Sequence, residues 1–122
     1  MNIERKEREI AGDLMDFLDD SPTPGWAVHS LSEKLSEGGF ERINEKKRWD
    51  FEPGSKFFVQ KNCSTLMAGI AGKGDLVDDG FNIIGAHTDS PCFRVKDEGF
   101  YEKEGYKQLG VEIYGGPILA SW

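Results

Sequence analysis

The sequence IIGAHTDSPCFRVK, residues 83–96, places a histidine and an aspartate two positions apart at the end of an apolar run. A histidine binds a metal through one ring nitrogen, and its other ring N–H then needs an acceptor that fixes the tautomer. In extended backbone the side chains of His87 and Asp89 would point to the same face. The pair therefore suits a metal ligand with its orienting carboxylate, although a hydrogen-bonded structural histidine beside a turn aspartate would have the same spacing.

The number of available ligands limits the hypothesis of a metal site more strongly, because a catalytic zinc takes about three protein ligands. The sequence has two histidines, and the second, His29, falls on a predicted helix, where we expect a structural or surface role. Asp78 and Asp79 fall in a predicted loop and are expected to be solvated, and Cys92 is expected to pack. A single histidine also accepts cobalt or manganese. These residues predict part of a metal site and do not complete one.

Composition limits the possible partners and location. The length of 122 residues favours one domain, and the formal net charge of -7 disfavours both nucleic acid and an anionic membrane surface. The charged N-terminus, MNIERKEREI, lacks the apolar core of a secretion signal, and no apolar run approaches the ~20 residues that span a bilayer. Cys63 and Cys92 are too few for a disulfide framework. We therefore expect reduced thiols in a cytoplasmic protein that binds neither nucleic acid nor membranes.

Periodicity predicts the elements that would position His87. Apolar residues at helical spacing predict a helix over residues 3–18, and a proline start and a glycine end predict a second over 24–37. Five runs predict strands, at residues 56–62, 64–72, 81–87, 93–97 and 106–116. Two helices followed by strands indicate an α/β or α+β fold. We expect His87 at the carboxyl end of the 81–87 strand, where open α/β sheets carry their sites.

Longer segments of the chain resemble the aspartyl aminopeptidases, a family of cytosolic dizinc metalloaminopeptidases. NIIGAHTDSPCFRVK resembles the signature region of that family, and FLDDSPTPGWAV resembles its N-terminal segment. GGF, KFFVQKNCSTLMAG and LGVEIYGGPILASW then follow in the family's order and at about its spacing. Together these segments cover nearly all of the chain, which makes the resemblance far more specific than one His-x-Asp pair.

The resemblance implies that His87 is a zinc ligand and that Asp89 is the aspartate that supports it. It implies an α/β fold in which two N-terminal helices precede a mixed sheet, and a homo-oligomer that holds two zinc ions and removes acidic N-terminal residues from peptide substrates. Other divalent metals are compatible with these residues. Residues 1–91 would belong to the metallopeptidase domain, and residues 92–122 would begin a second domain that mediates subunit contacts.

The chain departs from the family pattern in two respects. The family often has an aromatic–histidine pair after the SPTP-like turn, where this chain has Gly25 and Trp26, so His29 inherits no role. The bridging aspartate, the glutamate general base and the remaining ligands of the family lie beyond the segments matched here. We therefore expect an N-terminal portion that is inactive alone. The alternative is a non-catalytic, truncated folding or assembly module, and the intact mass of the natural gene product separates the two.

Overall fold

The computed structural model describes residues 3–116, 118 and 120. The chain divides into two compact units, Met1–Thr88 and Asp89–Trp122, and each unit has its own sheet. Among the described residues, no helix combines the length and the apolar character that crossing a bilayer requires.

Two helices open the first unit, α1 over Ile3–Asp19 and α2 over Pro24–Glu37. The Thr23 hydroxyl caps α2 by accepting from the Trp26 backbone N–H at 3.3 Å, and a proline follows at the first helical position. Gly39, with a φ of 79°, takes the left-handed conformation that terminates the helix. Local capping signals therefore suffice to set α2, whose bounds are those predicted, and α1 extends one residue beyond its prediction.

The first unit continues with a three-stranded mixed sheet. Strand β1, Glu41–Arg42, runs parallel to β2, Lys56–Lys61, and β2 pairs antiparallel with β3, Thr65–Ile70. Asn62 enters the β2–β3 turn with a φ of 56°, a conformation that asparagine tolerates better than most residues. The prediction of two helices followed by a mixed sheet is therefore confirmed, and β1 is an addition too short to show a periodicity.

The core of the first unit is built around β2, with α2 packed against the sheet. Its buried hydrophobic residues are Ala27 and Val28 of α2 with Phe58 and Val59 of β2. Adjacent residues of a strand point to opposite faces, so β2 is covered on both sides. Phe57, which shares a face with Val59, stacks on the Phe51 ring with the centroids 4.1 Å apart. The β2 strand is therefore the element around which this unit is packed.

The predicted strand over residues 81–87 is wrong. After a short helix, α3 (Leu76–Asp79), residues 80–91 form neither helix nor strand. The side chains of Ile83 and Ile84 are 86% and 99% exposed. A strand that is buried on both faces needs hydrogen-bonded neighbours, and neither sheet in the described part of the chain pairs with this run. His87 therefore does not stand at the end of a strand here.

The second unit is an antiparallel hairpin of β4, Cys92–Lys103, and β5, Tyr106–Tyr114. Glu104 and Gly105 form its turn, and both have positive φ, as a two-residue hairpin turn of type I′ requires. The register is interrupted between Val95 and Phe100. Both strands were predicted from their sequences, although β4 extends six residues beyond the predicted 93–97 run.

We expect Phe58→Ala to lower the free energy of unfolding of the first unit by about 3–5 kcal/mol, because the ring is 2% exposed and its loss leaves a cavity. Met67→Ala on the neighbouring β3 strand is the control, and its cost should be about 1 kcal/mol because that side chain is 48% exposed. Urea unfolding followed by circular dichroism measures both. Equal losses in the two variants would contradict the position of the core.

Candidate metal centre

His87 is exposed, and the next residue, Thr88, is hydrogen-bonded to the sheet region of the first unit. The Thr88 hydroxyl donates to the Ser64 carbonyl oxygen at 3.0 Å. Ser64 is the last residue of the turn between β2 and β3. The backbone next to His87 is therefore held by a side-chain hydrogen bond to a hairpin turn rather than by strand pairing.

Asp89 is the first residue of the second unit, and its carboxylate accepts a hydrogen bond from the last residue of β5. Asp89 Oδ2 accepts from the Tyr114 hydroxyl at 2.7 Å. Tyr114 is within reach because it ends β5 directly opposite Cys92, the first residue of β4. Gly115, with a φ of 76°, follows, and a Cβ built on it would lie 3.3 Å from the Pro91 Cα. The close approach of these two backbones therefore favours glycine at this position.

The hydrogen bond and the charge of Asp89 both favour the protonated form of Tyr114. Asp89 raises the pKa of the Tyr114 phenol, first through the hydrogen bond that the neutral hydroxyl donates and second through the negative charge of the carboxylate. Arg94, whose guanidinium carbon lies 5.7 Å from the centroid of the Tyr114 ring, acts on this pKa in the opposite direction. At neutral pH Tyr114 is therefore a hydrogen-bond donor to Asp89.

The other predicted candidates lie on exposed surfaces or strand positions. His29 is on the surface of α2, with its Nε2 3.5 Å from the Glu33 carboxylate. Asp78 and Asp79 are exposed, as expected, but they lie in the short helix α3 and not in the predicted loop. Cys92 is a half-buried free thiol at the start of β4. Each therefore has a position that agrees with the structural or solvated role expected from the sequence.

The described residues do not fit a complete zinc site. Over residues 3–116, 118 and 120, no three or more His, Cys, Asp or Glu side chains are grouped so that they could hold a metal ion. A catalytic zinc needs about three such ligands. The assignment of His87 as one ligand and of Asp89 as its orienting residue therefore stays a prediction.

Sequence reasoning missed two residues that hold this segment, Thr88 and Tyr114. Thr88 stands between the two candidates and has no metal-binding chemistry of its own. Tyr114 lies 25 residues from Asp89 along the chain, and the pairing of β4 with β5 brings the two side chains within hydrogen-bonding distance. Only the pairing of the start of β4 with the end of β5 would have indicated Tyr114, and the sequence does not show the register of that pairing.

The class of the protein follows from a comparison with known families. Residues 17–122 match the family model described as aminopeptidase I zinc metalloprotease (M18). This match covers most of the chain, so the chain contains part of a zinc metalloprotease domain. The chain belongs to the M18 aminopeptidase family, and the family predicted from the sequence is confirmed.

Individual relatives agree with this family. The probable M18 family aminopeptidase 2 of Ectopseudomonas mendocina (strain ymp) is 44% identical over 114 residues, which are 93% of this chain and 27% of that protein. The aminopeptidase I structure from Borrelia burgdorferi B31 has a TM-score of 0.81 at 27% identity, covering 100% of this chain and 30% of that one. The S. cerevisiae mApe1 dodecamer has a TM-score of 0.79 at 32% identity, covering 93% and 27%. The chain thus spans about a quarter of the length of the curated relatives it matches.

Thr88→Val should loosen the segment that carries His87, because it removes the hydroxyl that donates to Ser64. The loss of one such bond costs about 1 kcal/mol, so amide hydrogen exchange over residues 81–88 should become faster. Thr88→Ser keeps the hydroxyl and is the matched control. Exchange that is unchanged in Thr88→Val, or equally fast in both variants, would contradict the role of this bond.

Asp89→Asn should lower the pKa of Tyr114 toward the ordinary value of about 10, because it removes the charge that raises it. The stabilisation from this raised pKa is fully present below the unfolded-state value and is lost as pH rises through the folded-state value. NMR titration of ring-labelled tyrosine measures the change, and the sequence has only three tyrosines to assign. Tyr101 and Tyr106 serve as internal controls. A Tyr114 titration that does not move in Asp89→Asn would count against the hydrogen bond.

Proposed function

We propose that this chain is the N-terminal part of a zinc aminopeptidase that removes N-terminal residues from peptides. The observation that carries the proposal is the M18 family match over residues 17–122, which contains the His87–Asp89 segment. The local geometry supports it, because hydrogen bonds from Thr88 and Tyr114 hold the residues that flank and follow His87. A metal ligand needs such fixed neighbours if its ring is to keep one orientation.

In this proposal His87 supplies one zinc ligand and Asp89 accepts the ring N–H that faces away from the metal. That acceptor would fix the ring orientation and the tautomer, with the other nitrogen directed toward zinc. The remaining ligands and the general base come from polypeptide beyond these 122 residues, since the described residues do not gather a ligand set of their own. Two zinc ions, the acceptance of other divalent metals and a preference for acidic N-terminal residues follow from the family resemblance alone.

The proposal also includes assembly into a homo-oligomer in the cytoplasm. The S. cerevisiae mApe1 relative is a dodecamer. In the second unit, one face of the β4–β5 hairpin is apolar and exposed, and it consists of Phe93, Val95, Phe100, Leu109, Val111 and Ile113. A two-stranded hairpin is marginal alone, so this face favours burial against further protein. The domain boundary proposed after Pro91 is supported by the division of the chain after Thr88.

We expect the isolated 122-residue chain to show no aminopeptidase activity and the complete gene product to be active with zinc. Loss of a residue that only supports a ligand costs about 10–100-fold in metal affinity or activity. His87→Ala in the complete product should therefore cost more than about 100-fold. His29→Ala is the matched control and should leave activity unchanged, because that ring lies on the α2 surface against Glu33. Hydrolysis of aspartyl and glutamyl chromogenic substrates, with zinc, cobalt or manganese added, measures all four proteins.

Two results would contradict the proposal. Metal-dependent turnover by the 122-residue chain that is lost in His87→Ala would mean that the described residues complete a site after all. A natural gene product whose intact mass equals that of these 122 residues, without activity, would favour the non-catalytic folding or assembly module instead.

A further inference from the structure

Helix α1 carries a row of apolar side chains that the first unit does not cover. Ile10, Leu14 and Leu18, the α1 row, recur every four residues, so they share one face of the helix. Their side chains are 56–59% exposed, whereas Val28 and Phe58 of the same unit are buried. An aliphatic row that stays this exposed over two turns of helix favours burial against another surface.

The charges of α1 are arranged against the dipole of the helix. Its basic residues all lie in the N-terminal half, where three glutamates balance them, at Arg5, Lys6 and Arg8. Its charged residues from position 10 onward are all acidic, at Asp13, Asp16 and Asp19. The last turn has no basic residue, although basic residues are the ones that stabilise that end of a helix. The C-terminal half is therefore negative at the negative end of the dipole, an unfavourable arrangement that a neighbouring basic side chain relieves.

Two of these charges border the α1 row. Arg8, Met15 and Asp19 follow one line of the helix, because they are seven and four residues apart. That line borders the row, since Met15 lies three residues from Leu18. In the part of the chain that the structure describes, neither Arg8 nor Asp19 forms an ion pair, and both are exposed. A basic and an acidic side chain therefore stand at opposite ends of one edge of the row.

The positions of these residues are symmetric about Leu14. Ile10 and Leu18 each lie four residues from it, and Arg8 and Asp19 lie six and five residues from it. When a second copy of α1 packs antiparallel, with Leu14 against the partner's Leu14, Ile10 falls opposite the partner's Leu18. Arg8 then falls within one residue of the partner's Asp19, which is about 1.5 Å of axial rise. A two-fold axis repeats both contacts, so one helix face supplies the apolar contact and both opposite charges.

We propose that the α1 row is an interface with a second copy of this chain, in which two α1 helices pair antiparallel about Leu14. The charges favour a second copy over another segment of polypeptide, because Arg8 and Asp19 complement each other across the two-fold axis. The chain spans about a quarter of the length of its curated relatives, so further polypeptide of the same subunit is the competing occupant. The inference does not rest on the proposed function, since it uses a helix of the first unit and no metal ligand.

The test uses the complete gene product with a cysteine introduced on α1. Leu14→Cys places a thiol at the proposed two-fold axis, and Asp16→Cys, about 200° further round the same helix, is the matched control. Copper phenanthroline oxidises the thiols, and mass spectrometry of the peptides identifies the linked positions. We expect position 14 to link to position 14 of a second copy at least about 10-fold faster than the control links, because a disulfide needs Cα atoms within about 7 Å.

Direction and charge are tested with two further sets of variants. The double variant Ile10→Cys/Leu18→Cys should link position 10 of one copy to position 18 of the other, whereas a parallel pair of helices would link like positions. In the Leu14→Cys background, Arg8→Glu and Asp19→Arg should each slow the linkage by about 3–10-fold, because each places like charges opposite one another at both ends of the interface. Combining the two reversals restores opposite charges and should return the rate to within about twofold.

Three outcomes would overturn the inference. A thiol at position 14 that neither links nor reacts with a soluble maleimide would show that polypeptide of the same subunit covers the α1 row. A thiol that reacts freely but links no faster than the one in Asp16→Cys would show that the row has no partner. Charge reversals whose combination does not restore the rate would show that Arg8 and Asp19 do not face each other. If Leu14→Cys lowers the helical circular dichroism, Ile10→Cys/Leu18→Cys decides alone, and a lack of links between positions 10 and 18 refutes the antiparallel pair.

Discussion

The burial of β2 is the constraint on which the placement of the candidate ligand depends. Phe58 and Val59 are covered on opposite faces of this strand, and Val28 of α2 completes the same core. Burying such side chains contributes about 1.5–3 kcal/mol each, which fixes the strand and the turn that leaves it. That turn presents the Ser64 carbonyl to Thr88. The position of the backbone beside His87 is thus a consequence of hydrophobic packing in the helix–sheet core.

The sequence could predict those parts of the fold that are set by local interactions. The second helix begins at a threonine cap and ends at glycines, and both signals are visible in the sequence. The β2–β3 hairpin follows from two apolar runs around Asn62, whose left-handed conformation the turn requires. The family resemblance supplied the mixed sheet. Local periodicity and capping chemistry therefore set the elements within a residue or two.

The failures have a common physical cause, which is that strand pairing is not local. Residues 81–87 are apolar enough for a buried strand, yet the hydrogen-bond partners that would make them one are absent from both described sheets. The contact of Tyr114 with Asp89 was missed for a related reason. Counted outward from the turn, the hairpin register would place Tyr114 opposite Val95, whereas the irregularity before Phe100 shifts it opposite Cys92. A three-residue shift of that kind leaves no periodic signal.

The exposed run of residues 81–86 lies directly before the candidate metal ligand His87. Ile83 and Ile84 expose most of their surface, and a neighbouring strand on either side would bury them with a gain of about 1.5–3 kcal/mol each. The same pairing would fix the backbone up to His87 from the N-terminal side, while Thr88 fixes it from the other. A ligand that is ordered in this way loses less conformational entropy when it binds a metal. In the proposed function, strand pairing of this run and zinc binding by His87 would restrict the same few residues.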